Sequence, residues 1–350
     1  MNRRTFMGGA AGALVAARAL AQGAAPVNPL PCGVLGLGHA HALDIVKVLR
    51  ASPDFALAGI CEPDEAVRSR YAQEEALQSL AWLTQGELLG DPAIQMVAVE
   101  SNVTRLLSFG RAVVDAGKHL HMDKPAGTSL TEFRGLLDSA KRQALLVQMG
   151  YMFRYNPGFD FVRKMVAEGA LGHVHSIHAS MSTDLTRQKR DGINIHSGGI
   201  MLELGCHLFD MIVLLLGEPK SVAPFIRHDS DIDDTLADNT LAVLEYDRAM
   251  AVVECAAREP QAGGGRRFKV AGSEGSITLE PLEPASARLA LRNAHGEYKA
   301  GVTDIEFPDL ERHVLDMAEL AASIRGERPF PYSYGHDYTV QRTVLKAAGD

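Results

Sequence analysis

Short apolar runs and helix-spaced patterns alternate through the first half of this chain. Gly33 to Gly38 (GVLGLG) reads as a buried strand entering a tight turn, and residues 41–50 continue at helical spacing. Phe55 to Cys61 (FALAGIC) is the next strand, closed by Glu62-Pro63-Asp64, with a polar helix over 64–76. A third strand covers 94–100, a helix over 106–116 stops at Gly117, and a fourth strand, 119–122, stops at Asp123-Lys124-Pro125. Strands separated by helices at this pitch predict an α/β unit with a parallel sheet covered on both faces.

The pattern changes after residues 145–150. Residues 159–168 are helical in period, 172–181 alternate as a strand, and 200–216 form a strongly apolar helix. From 221 to 279, separate strands are punctuated by turns at Tyr246-Asp247-Arg248, at Gly263 to Gly265 and at Gly272 to Gly275. This predicts a second α/β domain with a large, mostly antiparallel sheet, and a late helix over 310–324 packed against that sheet. No fixed-period repeat or heptad pattern is present.

Composition narrows the reading. A chain of 350 residues and 37.7 kDa suits two domains, and a net charge of −8 leaves no general basic surface for nucleic acid. Four cysteines without CxxC spacing are too few for a disulfide scaffold; Cys61, Cys206 and Cys255 lie in apolar stretches and read as buried thiols. At the start, Arg3-Arg4-Thr5-Phe6 precedes an acid-free stretch ending in Ala19-Leu20-Ala21. It resembles a twin-arginine signal and is too short and Gly/Ala-rich for a stable membrane span. Its removal takes three arginines and no acid, moving the charge to about −11. The implied partner is the twin-arginine translocation machinery, and the implied location is a bacterial periplasm.

Candidate chemistry sits at strand ends. Gly36-x-Gly38 supplies a sharp turn and close backbone approach, and the following helix N-terminus can face a pyrophosphate. His41 replaces the usual third small residue of that fingerprint. Glu62, 24 residues beyond Gly38, is placed to accept hydrogen bonds from adenosine ribose hydroxyls, which favours NAD over NADP. Lys124 follows the fourth strand at the carboxyl edge of the sheet. On the apolar helix, Glu203 and His207 are four residues apart and share a face, and Asp210 extends the row. Titratable groups on a buried helix need partners or a function. His207 has the imidazole to accept a hydroxyl proton, with Glu203 holding the ring or tuning it. A structural histidine network is the alternative. No metal is expected, because HExxH is absent and the acidic run Asp229, Asp231, Asp233, Asp234 lacks the calcium-loop spacing.

The glycine turn, the acid ending the second strand, Ala116-Gly117-Lys118-His119 before Asp123-Lys124-Pro125, Tyr151 to Pro157 (YMFRYNP), and Gly198-Gly199 leading to Glu203-x-Gly205-x-His207-x-x-Asp210 occur in one order. In that order they resemble the glucose-fructose oxidoreductase / inositol dehydrogenase / MocA (Gfo/Idh/MocA) family over about residues 31–345. The resemblance implies an N-terminal Rossmann domain and a C-terminal α/β domain whose open sheet often carries an oligomer interface. It places the catalytic lysine on Lys124 and the second-domain pair on Glu203 and His207. It departs from the family in Asp123 for glutamate, Glu203 for aspartate, and Arg105 where histidine is common. The expected cofactor contacts are Gly36, Gly38, His41, Glu62, Asn102, Asp123 and Lys124, and the expected substrate contacts are Arg154, His196 and His207. The polar segment from Asp184 through Arg187, Arg190, Asp191 and Asn194 to His196 is a candidate substrate wall.

The expected organisation is a signal over 1–21, a loose connector over 22–30, a dinucleotide-binding domain over 31–150 and a substrate and oligomerisation domain over 151–345. The expected function is hydride transfer between a tightly bound NAD, with NADP as the alternative, and a sugar, cyclitol or related polyol, in a homo-oligomer. An exported enzyme has no shared dinucleotide pool to draw on, so retention of the cofactor follows. Two alternatives stay open: an epimerase, lyase or glycosidase using transient sugar oxidation, and a non-catalytic sugar-binding or assembly protein.

Overall fold

A computed structural model describes residues 28–350; the twin-arginine segment and most of the connector lie outside the described residues. The first half is built from β1 (Leu30–Leu35), α1 (Ala42–Ala51), β2 (Phe55–Cys61), α2 (Glu65–Tyr71), β3 (Ala81–Trp82), α3 (Gln85–Gly90), β4 (Met96–Val99), α4 (Val103–Asp115), β5 (His119–Met122), α5 (Leu130–Arg142) and β6 (Val147–Met149). Its six strands run in the order β3-β2-β1-β4-β5-β6, and every pairing is parallel. From β1 the chain builds outward through β2 to β3, then crosses back to place β4 on the other side of β1. That reversal opens a crevice at the carboxyl ends of β1 and β4, where such sheets bind ligands.

The second half contains α6 (Pro157–Ala167), β7 (Val174–Ser180), α7 (Arg187–Ile193), a π-helical turn (Met201–Gly205) leading into α8 (Cys206–Leu216), then β8 (Ser221–Arg227), β9 (Asn239–Glu245), β10 (Met250–Ala256), β11 (Arg267–Gly272), β12 (Gly275–Leu282), β13 (Ala285–Leu291) and β14 (Gly301–Glu306). Its eight-stranded sheet runs β14-β13-β12-β11-β7-β10-β9-β8 and is antiparallel except where β7 meets β10. Leu208, Phe209 and Ile212 of α8 are fully buried against it. Each such side chain contributes about 1.5–3 kcal/mol by leaving water, which fixes the helix and whatever its first turn carries. All four cysteines are buried free thiols. Among the described residues, no helix is long and apolar enough to cross a membrane.

Two closing helices differ from the sequence reading. α9 (Val314–Ile324) does not pack on the large sheet: Met317, Leu320 and Ala321 join the core formed by β1 and α1. Its apolar face matches either partner equally well, and only tertiary context selects one. α10 (Tyr334–Ala347) lies against α8, β8 and α5. From it, Gln341 accepts from Ala126 N–H at 2.9 Å and donates to Gly127 O at 2.7 Å, so the last helix holds the loop just beyond Lys124.

Candidate active site

The glycine turn is shaped by close backbone approach. Gly36 has φ of +90°, and a Cβ there would lie 3.1 Å from Glu100 O; at Gly38 it would lie 3.2 Å from Asn102 N. Only glycine accepts that φ and that proximity without strain. α1 then starts at His41 with no side-chain cap on its first turn, leaving backbone N–H groups to face an anion. Glu62 ends β2 beside the same turn, accepting from Leu37 N–H at 2.6 Å and Asp64 N–H at 2.8 Å. Asn102 precedes α4, its Oδ1 taken by Thr104 Oγ1 at 2.6 Å. The turn, the carboxylate and the uncapped helix fit a dinucleotide, so Gly36, Gly38, Glu62 and Asn102 converge on the crevice as the sequence suggests.

Beyond β5, Asp123 and Lys124 meet the π-helical turn of the other half. Lys124 Nζ donates to Glu203 Oε1 at 2.6 Å and to Glu203 O at 3.1 Å. Burial alone would lower the lysine, but Glu203 more than offsets it and its pKa is raised above the ordinary lysine value. Burial opposes ionisation of Glu203 too, yet Lys124 and His39 bring it down to about 2. The pair is therefore an ammonium facing a carboxylate at neutral pH.

His39, which the sequence reading passed over, bridges Asp123 at the end of β5 and Glu203 on the π-helical turn. Its Nε2 lies 3.3 Å from Glu203 Oε1, and its Nδ1 contacts Asp123 Oδ2. Burial lowers the imidazole, but Asp123 outweighs it and raises the pKa to about 9. His41 Nδ1 lies 3.2 Å from Asp123 Oδ1, so the odd third residue of the fingerprint faces the site and not the helix–strand seam. Burial is the largest influence on His41 and keeps it below the ordinary histidine value. Burial opposes charge on Asp123 as well, but His39 and His41 hold it well below the usual carboxylate range. Behind them, Glu100 is fully buried with both carboxylate oxygens unpartnered, 3.5 Å from His121 Nε2; burial, then Asp123, pushes it well above the ordinary range.

His207 stands one side of this cluster, packed against Tyr151 and Phe153, with an unpartnered, buried Nδ1. Burial, then the charges of Lys124 and His41, keeps its pKa well below the ordinary value, so the ring is neutral. Glu203 does not hold it: the π-helical turn changes the helix phase between residues 203 and 207 and turns Glu203 toward Lys124. Asp210 leaves the row as well, accepting from Arg154 Nη2 at 2.7 Å and contacting His336 Nε2 at 2.8 Å.

The structure does not bring Arg154 or His196 into the cluster. Arg154 is 1% exposed and committed to Asp210 and Asp337, with Tyr332 stacked on its guanidinium. That burial corrects its expected substrate contact. His196 Nδ1 accepts from Gly198 N–H at 2.9 Å, and its Nε2 pairs with Asp350 at 3.2 Å. In the expected substrate wall, Arg190 is sealed by Asp234 and Asp238. A charge pattern in sequence does not separate such internal braces from groups that open on solvent.

Comparison with known proteins agrees with the two-domain fold. The sequence model described as "Oxidoreductase family, NAD-binding Rossmann fold" matches residues 30–151, and "GFO/IDH/MocA C-terminal domain" matches 159–278. Scyllo-inositol 2-dehydrogenase (NAD(+)) of Bacillus subtilis (strain 168) is 26% identical over 312 residues, covering 85% of this chain and 87% of the relative. Myo-inositol 2-dehydrogenase of Thermotoga maritima is 26% identical over 262 residues, covering 73% and 77%. The crystal structure of GenD2 from gentamicin A biosynthesis in complex with NAD superposes with a TM-score of 0.75 at 22% identity, covering 94% of this chain and 97% of that one, a likeness of fold.

Proposed function

Because the chain belongs to the GFO/IDH/MocA oxidoreductase family, we propose that it oxidises or reduces a sugar, cyclitol or related polyol through Lys124, Glu203 and His207. It is an NAD(P)-binding enzyme of hydride transfer. The observation that carries the residue assignment is the Lys124–Glu203 pair at the carboxyl edge of the parallel sheet, 2.6 Å apart. The inositol dehydrogenases among its relatives support the substrate class. Glu62 supports NAD over NADP, since a 2′-phosphate there meets like charge.

The bound dinucleotide supplies the carbon that takes up or returns the hydride. The chain supplies the rest. Lys124, kept as an ammonium by Glu203, donates a hydrogen bond to the substrate oxygen as it gains alkoxide character. His207, kept neutral by burial, is the imidazole that accepts the hydroxyl proton. Tyr151 and Phe153 pack around the imidazole and supply its apolar surroundings.

Export belongs to the same proposal. Arg3 and Arg4 direct the folded, cofactor-loaded chain to the periplasm, where the dinucleotide stays bound and is reset on the protein by a second substrate. Exposed Phe225 and Met250 on the eight-stranded sheet support a homo-oligomer. The test is to purify the mature chain, identify any released dinucleotide by mass spectrometry, and follow nicotinamide absorbance on adding inositols and sugars. Substrate-dependent reduction is expected; a chain that binds neither NAD nor NADP would overturn the reading.

A further inference from the structure

Beside the glycine turn, two imidazoles converge on one carboxylate. His39 and His41, separated by one residue, each present Nδ1 to Asp123, and the three donor atoms lie within 4.8 Å of one another. We propose that His39, His41 and Asp123 form a binding site for a divalent first-row metal ion, zinc foremost, with an open coordination position toward the crevice. The helix motif HExxH, whose absence argues against metal in the sequence, is not how this set is assembled: a turn residue, a helix-start residue and a strand-end residue supply it.

Four features carry the site. Two nitrogens and one oxygen are the donor types of three-ligand zinc centres that keep a fourth position for water or substrate. The 3.2 Å between His41 Nδ1 and Asp123 Oδ1 is close to the edge of a tetrahedron with metal–ligand bonds of about 2.0–2.2 Å. The outer shell is also present. A metal-bound histidine characteristically gives its other ring nitrogen to a carboxylate, and His39 Nε2 faces Glu203 Oε1 at 3.3 Å. Asp123 is oriented in turn by Lys124 N–H, 2.8 Å from its Oδ1.

Access agrees with an open position. Asp123 is sealed, whereas the His39 and His41 side chains are 12% and 15% exposed, so only the imidazole side reaches solvent. All three ligands are side chains; Leu37 N–H already donates to Glu62 and His41 N–H to His39 Nδ1 at 3.3 Å, and the uncapped N–H groups of Leu43 and Asp44 in the first turn of α1 stay available to a pyrophosphate. Metal and dinucleotide can therefore occupy the crevice together. The site rests on donor geometry and stands independently of the substrate assignment.

Cobalt(II) provides the test, because its visible ligand-field bands report coordination directly. The purified full chain, stripped with a chelator and reloaded, is expected to bind about one Co(II) with the intense bands of a low-coordinate site. The His39→Ala/His41→Ala double variant should lose those bands, and His173→Ala, at an exposed histidine in the other half, should keep them. Glu203→Gln should weaken Co(II) and Zn(II) binding about 10–100-fold. Circular dichroism and cooperative thermal unfolding establish folding; if the alanine variant does not fold, His39→Gln/His41→Gln replaces it. Equal Co(II) binding and spectra in the wild type and the folded double variant would overturn the site. That result leaves the dehydrogenase reading intact, since substrate-dependent nicotinamide reduction judges it separately.

Discussion

The helical segment that begins at Met201 feeds two ionic clusters, and they are built for opposite purposes. Its first turn sends Glu203 to Lys124 and His39 at the crevice, where the Glu203 side chain is 24% exposed. Seven residues on, Asp210 is 0% exposed and sits with Arg154 and Asp337 in a sealed brace between α8, α10 and the Tyr151 segment, with His336, 13% exposed, at its edge. Composition does not distinguish them: each is a cation held by carboxylates with a histidine alongside. The difference is access. A sealed ion pair serves architecture at a desolvation cost, whereas a paired lysine bordering a crevice keeps its protons for a ligand.

Lys124→Ala puts the largest strain on this contrast. It should slow reduction of bound dinucleotide by substrate about 10²–10⁴-fold while leaving cofactor binding and folding nearly intact. Single-turnover absorbance measures the first and thermal unfolding the second. A variant that reduces its cofactor at the wild-type rate removes Lys124 from the chemistry.

Arg154→Ala should do the reverse. Removing one partner of a buried pair leaves Asp210 and Asp337 uncompensated and costs about 3–5 kcal/mol of stability. The midpoint of denaturant unfolding should fall, with kcat and KM of the surviving folded fraction nearly unchanged. A raised KM at unchanged stability would return Arg154 to the substrate, where the sequence suggests it.

Glu203→Gln should have an intermediate effect, slowing reduction about 10-fold to 100-fold by disorganising Lys124. Because Glu203 is the largest influence raising the Lys124 pKa, its neutral replacement should move the basic limb of the kcat/KM profile to lower pH. An unmoved limb means that the lysine is tuned by Asp123 or that another group sets the limb.

The parallel sheet and four of its strands were legible because buried parallel strands are short apolar runs ended by turn residues, as at Phe55–Cys61 and His119–Met122. Lys124 and Glu62 were legible for the same reason, since a strand end fixes where a side chain emerges. Three features were hidden. The two-residue strand Ala81–Trp82 carries too little period to be seen. The π-helical turn leaves no signature in an apolar run, so the Glu203–His207–Asp210 row looked continuous when it divides between two clusters. His39 lies within the glycine motif itself, and its partners are 84 and 164 residues away. A second histidine two positions before His41 was the available signal.

Arg190, Asp234 and Asp238 form a third cluster, and it tests whether access really is the dividing line. They join the segment at 184–196 to the acidic run after β8, with Arg190 Nε 2.7 Å from Asp234 Oδ2 and Arg190 Nη2 2.8 Å from Asp238 Oδ2. The Arg190 hydrogen bonds hold Asp234 at about 2, against an ordinary 3.8. A carboxylate depressed in the folded state stabilises fully above its unfolded pKa, and that contribution disappears as pH falls through the folded one. Stability from this cluster should therefore be complete above pH 3.8 and lost on acidification toward pH 2. Asp234→Asn should lower stability at neutral pH and flatten its decline across that window, read from urea midpoints, while nicotinamide reduction at neutral pH stays at the wild-type rate. If the variant instead impairs reduction without moving the acid limb, the segment at 184–196 reaches the substrate, and burial alone does not separate braces from working residues in this fold.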